Sequence, residues 1–314
     1  MSELTIGIDV GGTKTSGALV DAEGSVLQQS RTTSPASDAN AITDAIATLV
    51  QELRGSRDVV GVGVAAAGFI DKDRATVLVA PNLAWRNEPL DRRITDRVGL
   101  PVVIENDANA AAWGEYRFGA GRDADDLLLI TVGTGIGGGF VHDDRLFRGG
   151  FGVGAEIGHM RVVPQGRLCG CGNHGCWEMY ASGNALVRDT REEAGSLLAA
   201  DLVATAGGDP ANIDGPMITE AAAAGDRFAL GRVHTIGTWL GEGAASLAAV
   251  LDPTMIAVGG GVAAAGEILI APMREAFRAN LTGRGYRPEP DIVQARLGNE
   301  AGMLGAADLA RPAR

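Results

Sequence analysis

Aromatic side chains are scarce in this 314-residue sequence, at 4%, and positive charge is short as well: 27 Lys and Arg against 39 Asp and Glu leave a net charge of −12. That balance opposes a broad surface for a phosphate backbone or an anionic bilayer, so nucleic acid and membrane are both set aside as partners. No apolar run approaches the roughly 18 residues of a membrane span. The sequence passes from Met1 straight into an alternating strand pattern, without a charged leader and hydrophobic signal core, and the expected location is the cytoplasm. Only three cysteines occur, Cys169, Cys171 and Cys176, all within eight positions. An odd, clustered set in a reducing compartment excludes a disulfide framework and favours metal binding. Glycine, by contrast, is abundant: 46 residues, about twice the usual share of about 7%, with no collagen period. Many backbone positions must therefore turn sharply or lie against something. Hydrophobic residues at 46% and charged residues at 21% are an ordinary globular mixture, and the length suggests about two lobes.

Residues 4–10 and 15–21 read as strands joined by Gly11-Gly12-Thr13-Lys14, and residues 25–30 add a third strand to this opening meander. Ile42, Ile46, Leu49, Val50 and Leu53 make one helical face within residues 38–53, after which residues 59–65 return as a buried strand. Residues 101–105 are a further strand, and 108–116 a helix that opens behind Asn106-Asp107. The second half starts in the same way, with strands at 127–132 and 137–141 about Gly133-Thr134-Gly135. The two Gly/Thr turns lie 122 positions apart, consistent with a duplicated strand, turn and strand. Long Ala-rich helical stretches are expected over 183–206 and 218–251, a strand at 255–258 ending in Gly259-Gly260-Gly261, and helices over 267–280 and 300–310.

A phosphoryl group is held by backbone N–H groups that can approach it, together with hydroxyls and a cation. Asp9, Gly11, Gly12, Thr13 and Lys14 supply these within six residues, with the Asp9 carboxylate placed to hold magnesium through water. The pattern is neither a P-loop nor a dinucleotide fingerprint, and an ordinary glycine-rich hairpin reads equally well from it alone. A second such loop around Thr134 and Gly135 favours a nucleotide clasped between lobes. Gly259, Gly260 and Gly261 offer bare backbone to a purine or ribose, or form only a strand-to-helix turn.

Phosphoryl transfer to a hydroxyl needs positioning, charge neutralisation and one carboxylate to take the proton. Asp107, where a strand meets a helix, is the candidate base; the alternative is that it merely caps the helix. His159 with Cys169, Cys171 and Cys176 makes a Cys3His set suited to closed, structural zinc, and His174 in the same loop reads as an exposed tip. Glu156 and Glu178 flank the cluster, where with Asn and His they suit sugar hydroxyls.

Taken together, residues 8–14, Ala80-Pro81-Asn82, residues 105–115, the second glycine loop, residues 154–159 and residues 169–178 resemble the ROK family of repressors and kinases, and specifically its actinobacterial glucokinases. The resemblance covers essentially the whole chain. It implies an α/β, two-lobed actin-like and hexokinase-like ATPase fold, ribonuclease H-like and duplicated. The lobes would comprise residues 1–107 with about 300–314, and residues 108–299 with the zinc loop. It further implies ATP-dependent phosphorylation of glucose to glucose 6-phosphate, with Asp107 as general base towards the 6-hydroxyl. Asn106, Glu156, His159 and Glu178, with Gly68 and Asn82, would hold the ring hydroxyls. Gly11 to Lys14 and Thr134-Gly135 would line the phosphates and Gly259 to Gly261 the adenosine, with Mg2+ and structural Zn2+ as cofactors. His159 would serve both zinc and sugar. A homodimer or homotetramer is the family's usual state.

Three other readings compete. Another hexose, such as mannose or an N-acetylhexosamine, differs from glucose by few pocket contacts. Polyphosphate could replace ATP, although clustered Lys or Arg for a long polyanion are absent. A sugar-sensing repressor of the same family would carry a helix-turn-helix ahead of the first strand, which here begins within about four residues of Met1.

Overall fold

The computed structural model describes residues 3–312. The opening meander forms as its alternation predicts, from β1 (Leu4–Val10), β2 (Lys14–Val20) and β3 (Val26–Thr33). Ile6, Ile8 and Val10 of β1 are buried. Helix α1 (Ala39–Arg54) starts at Asp38, whose carboxylate accepts from the N–H groups of Asn40 and Ala41, and stops at Gly55 with φ 51°. Its predicted apolar face is the face it buries. Strand β4 (Val59–Ala66) follows, then three short strands, β5 (Phe69–Ile70), β6 (Val77–Val79) and β7 (Arg86–Glu88), which make a sheet of their own. Helix α2 (Leu90–Val98), β8 (Val102–Asn106) and α3 (Asp107–Phe118) complete this stretch.

The main sheet has the order β3-β2-β1-β4-β8. Because β1, β4 and β8 run parallel, Asp9, Ala65 and Glu105 share one row, and Val10, Ala66 and Asn106 the next. Asp9 and the Asn106-Asp107 junction thus emerge at the same carboxyl end of a parallel trio, the end where open α/β sheets present ligand-binding side chains.

The chain continues through β9 (Leu127–Val132), β10 (Ile136–His142), β11 (Arg145–Phe147), α4 (Glu178–Ala181), α5 (Gly183–Glu192), α6 (Ala200–Thr205), α7 (Gly215–Ala223) and α8 (Arg227–Leu251). It closes with β12 (Met255–Gly259), α9 (Glu267–Asn280), β13 (Asp291–Gln294) and α10 (Ala301–Leu309). The second sheet has the order β11-β10-β9-β12-β13. Counted from its own first strand this is the order of the first sheet, so the duplication read from the Gly/Thr turns is a duplication of topology.

Two compact units result. The first takes the chain up to Leu129, Gly139–Ala155 and everything from Arg296; the second takes Ile130–Gly138 and Glu156–Ala295. The chain thus divides at other places than the 107 and 300 expected from sequence. Helix α3 stays with the first unit because α10 lies backbone to backbone against it: a Cβ on Gly305 would stand 1.7 Å from the carbonyl oxygen of Ala110. In the second unit the indole of Trp177 is fully buried and donates to the Trp239 carbonyl at 2.8 Å.

Both long helical stretches are shorter than the sequence suggests. Residues 183–206 break after Glu192 into a 3-10 turn and α6, and residues 218–251 break at Gly225, with φ 91°, and Asp226, which caps α8 through the Ala229 N–H. Ala-rich sequence has too little contrast between helix faces for periodicity to reveal such stops. No helix among the described residues is long and apolar enough to cross a membrane.

Candidate active site and metal centre

In the first unit, the turn after β1 is closed by the Gly11 N–H donating to the Lys14 carbonyl at 3.0 Å, and the Thr13 carbonyl accepts from Ser34 at 3.0 Å. Asn82 lies beside Gly12, within van der Waals range of where a Cβ would stand. Asp9 is the last residue but one of β1. Burial, and then the negative charge of Asp107, push its carboxyl up to about 6, against the opposing pull of Lys14. Burial raises Asp107 as well, while the Ala108 N–H and the Asn106 amide act to hold it down. Asp107 thus sits close enough for its charge to disfavour ionisation of Asp9.

The start of α3 shows which of the two side chains caps it. Asn106 is the cap: its Oδ1 accepts from the Asn109 N–H at 3.0 Å, and its Nδ2 donates to the Gly68 carbonyl at 3.2 Å. Asp107 occupies the first helical turn, where a negative charge is favoured by the helix dipole. Gly68 enters this group through its backbone, and only one Asn106 N–H is left for any other partner.

Sequence reasoning missed the support beneath this junction. Glu105, 1% exposed, accepts from the Asn106 N–H at 2.9 Å and the Asn109 amide at 3.2 Å. The Nε atoms of Arg74 and Arg148 each stand 2.9 Å from its Oε2. Arg148 also donates to the carbonyls of Asp71 and Lys72, both at 2.9 Å. One buried carboxylate therefore fastens two loops to the strand end that carries Asn106 and Asp107. No signal in the sequence joins residues 74, 105 and 148.

The second unit holds the other predicted residues. His159 Nδ1 lies 3.6 Å from Cys169 Sγ, and Cys171 Sγ lies 3.6 Å from Cys176 Sγ. The four ligand atoms all fall within 4.8 Å of one another. A tetrahedron with Zn–S of about 2.3 Å and Zn–N of about 2.0–2.1 Å has edges of about 3.5–3.8 Å, so the set fits zinc and leaves no open position. His174 is exposed, with Nδ1 2.9 Å from the Gly166 carbonyl oxygen, and is not one of the four. Burial pushes the Cys169 and Cys176 thiols up, whereas the Asn173 N–H pulls Cys171 down to about 7.

Glu178 follows buried Trp177, and its Oε1 lies 3.0 Å from Cys169 Sγ and 3.6 Å from His159 Nδ1. Its other oxygen reaches the second glycine loop, where a Cβ on Gly135 would stand 2.4 Å from Oε2. Glu156 caps the short turn that carries His159, and its carbonyl accepts the His159 N–H at 3.1 Å. Gly260, with φ 86°, lies against the backbone of Val132. The third glycine cluster and the Thr134-Gly135 loop are therefore neighbours within this unit. Asp9, Gly11 to Lys14, Gly68, Asn82, Asn106 and Asp107 belong to the first unit; Thr134, Gly135, Glu156, His159, Glu178, the cysteines and Gly259 to Gly261 belong to the second.

Comparison with known proteins finds relatives that match along almost the whole chain. The model of the family described as ROK matches residues 5–313. A glucokinase of Streptomyces coelicolor is 47% identical over 310 residues, covering 98% of each chain. A glucokinase of Thermotoga maritima is 37% identical over 306 residues, covering 97% of this chain and 96% of the other. Among solved structures, a ROK family glucokinase from Streptomyces griseus in complex with glucose and AMPPNP superimposes with a TM-score of 0.89 at 51% identity, covering 98% of this chain and 99% of that one.

Proposed function

The chain belongs to the ROK family, and on that footing we propose that it transfers the γ-phosphoryl group of ATP to the 6-hydroxyl of glucose. The observation that carries the chemistry is the division of labour at the start of α3. Asn106 caps the helix, so the Asp107 carboxylate is not needed there and stands near Asp9 with raised proton affinity. Such a carboxylate is suited to accept a hydroxyl proton as the oxygen attacks phosphorus. The bond from O6 to phosphorus forms, the bond from phosphorus to the bridging oxygen of ADP breaks, and the proton passes to Asp107.

In this reading Asn106, Glu156, His159 and Glu178, with Gly68 and Asn82, hold the sugar. His159 turns Nδ1 towards Cys169, which leaves Nε2 for a hydroxyl. Gly11, Gly12, Thr13, Lys14, Thr134 and Gly135 line the phosphates, and Gly259, Gly260 and Gly261 the adenosine. Asp9 would hold magnesium through water, and that ion supplies charge neutralisation on the phosphates. His159, Cys169, Cys171 and Cys176 would hold zinc, which supplies a structural tie that fixes the His159 ring and its tautomer. The proposed compartment is the cytoplasm, where thiols stay reduced and free for zinc. The proposed assembly is a homodimer or homotetramer, which sedimentation equilibrium would check.

The deciding experiment is ADP release from Mg-ATP against glucose, mannose, fructose, N-acetylglucosamine, N-acetylmannosamine and no sugar. Turnover confined to glucose, or glucose with weaker mannose, is expected. Strong turnover with another sugar replaces the acceptor, and silence with ATP but turnover with polyphosphate replaces the donor. Silence with both, alongside sugar binding, would sink the kinase reading.

A further inference from the structure

We propose that the N-terminus of α5 aims the second glycine loop at the phosphates, and that Gly183 is the positioning residue on which this depends. The inference rests on the kinase reading above and concerns residues of the second unit alone. Three hydrogen bonds hold the loop from within that unit. The Gly183 N–H donates to the Gly133 carbonyl at 2.8 Å, the Asn184 N–H to the Thr134 carbonyl at 3.4 Å, and the Gly133 N–H to the Gly135 carbonyl at 3.0 Å.

In a planar trans peptide the carbonyl and the following N–H point in opposite directions. Drawing the carbonyls of residues 133 and 134 onto α5 therefore turns the N–H groups of Thr134 and Gly135 away from it. Among the described residues neither of these N–H groups donates to a protein oxygen. Two adjacent N–H groups left without partners are what an anionic phosphate oxygen can occupy. The first N–H groups of a helix lack partners inside it and carry its positive end, so two carbonyls are favourable occupants there.

The helix is itself well anchored. Ser182 caps it by accepting from the Ala185 N–H at 3.2 Å, and Ala185, Leu186 and Thr190 are buried. The fit leaves no room for a side chain at the contact. A Cβ on Gly183 would stand 2.7 Å from the Gly133 carbonyl oxygen and 3.2 Å from the Val262 side chain. Glu178, crowding Gly135, restrains the same loop a second time. A methyl at 183 must push the loop off α5, and the two N–H groups turn with it.

The test is Gly183→Ala, compared with wild type and with Leu186→Val, which loosens the same helix without touching the loop. In Gly183→Ala we expect the KM for Mg-ATP and the calorimetric Kd for AMPPNP to rise about tenfold or more, as misaimed N–H donors do. Its zinc content and glucose affinity should stay within about twofold of wild type. Leu186→Val should lower Tm and leave both nucleotide constants in place. A folded, zinc-loaded Gly183→Ala with unchanged nucleotide constants overturns the proposal, as does an equal shift in Leu186→Val. Should Gly183→Ala not fold, amide exchange of the wild type decides: AMPPNP must protect the Thr134 and Gly135 N–H groups, and unprotected groups overturn the proposal. Wild-type turnover alongside either failure leaves the kinase reading standing. A wild type without sugar-dependent ADP release removes both.

Discussion

Replacing Asp9 by Asn should stabilise the nucleotide-free protein while removing its turnover, and the stabilisation should grow with pH. Burial and the neighbouring Asp107 raise the Asp9 carboxyl from 3.8 to about 6. In an unfolded chain neither effect operates, so folded Asp9 binds its proton on the order of a hundredfold more tightly, equivalent to about 3 kcal/mol. The native state therefore takes up a proton on folding between about pH 4 and pH 6. It is stabilised as pH falls through that window and loses stability as pH rises through it. An Asn, with the shape of the protonated acid and no charge, escapes the loss. The difference in unfolding free energy between Asp9→Asn and wild type should be about half developed at pH 5 and should level off near 3 kcal/mol above pH 7. Urea unfolding of both proteins at several pH values between 5 and 8, without magnesium or nucleotide, measures that difference. A destabilised variant, or a difference that does not change with pH, would refute the assignment of Asp9 as a buried acid strained by Asp107. The same variant should lose sugar-dependent ADP release, because in the proposed mechanism that carboxylate holds magnesium.

Asp107→Asn should lower kcat by about 10²–10⁴ with little change in glucose affinity, since only proton acceptance is removed; calorimetry and steady-state kinetics together check this, and a near-wild-type kcat refutes it. Because burial raises Asp107, the acid limb of the wild-type pH–rate profile should lie above the ordinary Asp value of 3.8. Cys171→Ala should release one zinc per chain, lower Tm and weaken glucose binding through the His159 ring; metal analysis finding no zinc in the unmutated protein would remove the closed-site reading. Glu105→Gln should cost about 3–5 kcal/mol in urea unfolding, because Arg148 and Arg74 lose the charge that compensates theirs, and should raise the KM for glucose; a loss below about 1 kcal/mol would show that the two arginines are satisfied without it.

The local chemistry of both loops was legible in the sequence because it depends on neighbours along the chain. Glycine, hydroxyl and lysine within residues 11–14, and one imidazole with three thiols within residues 159–176, are short-range patterns that can be read without knowing the fold, although the first alone fits a plain glycine-rich hairpin as well as a phosphate loop. The alternation of β1 and the apolar face of α1 were legible for the same reason. Strands β5 to β7 were not legible, being two or three residues each and too short to show a period. Whether Asp107 caps its helix or keeps its carboxylate for other use could not be read from Asn106-Asp107, because either side chain can cap.

Sequence by itself thus determined which residue types are available: one imidazole with three thiols, the two glycine turns and the acid at the end of a strand. Tertiary structure decided their states. Parallel pairing of β1, β4 and β8 brings Asp9 to the strand ends where Asp107 begins its helix, and burial then raises both acids. Folding also sets Arg74 and Arg148 around Glu105, and the N-terminus of α5 against the loop at residues 133–135. Those contacts join residues far apart in the chain, and desolvation exists only once the surrounding residues have excluded water. Neither leaves a mark on the local sequence.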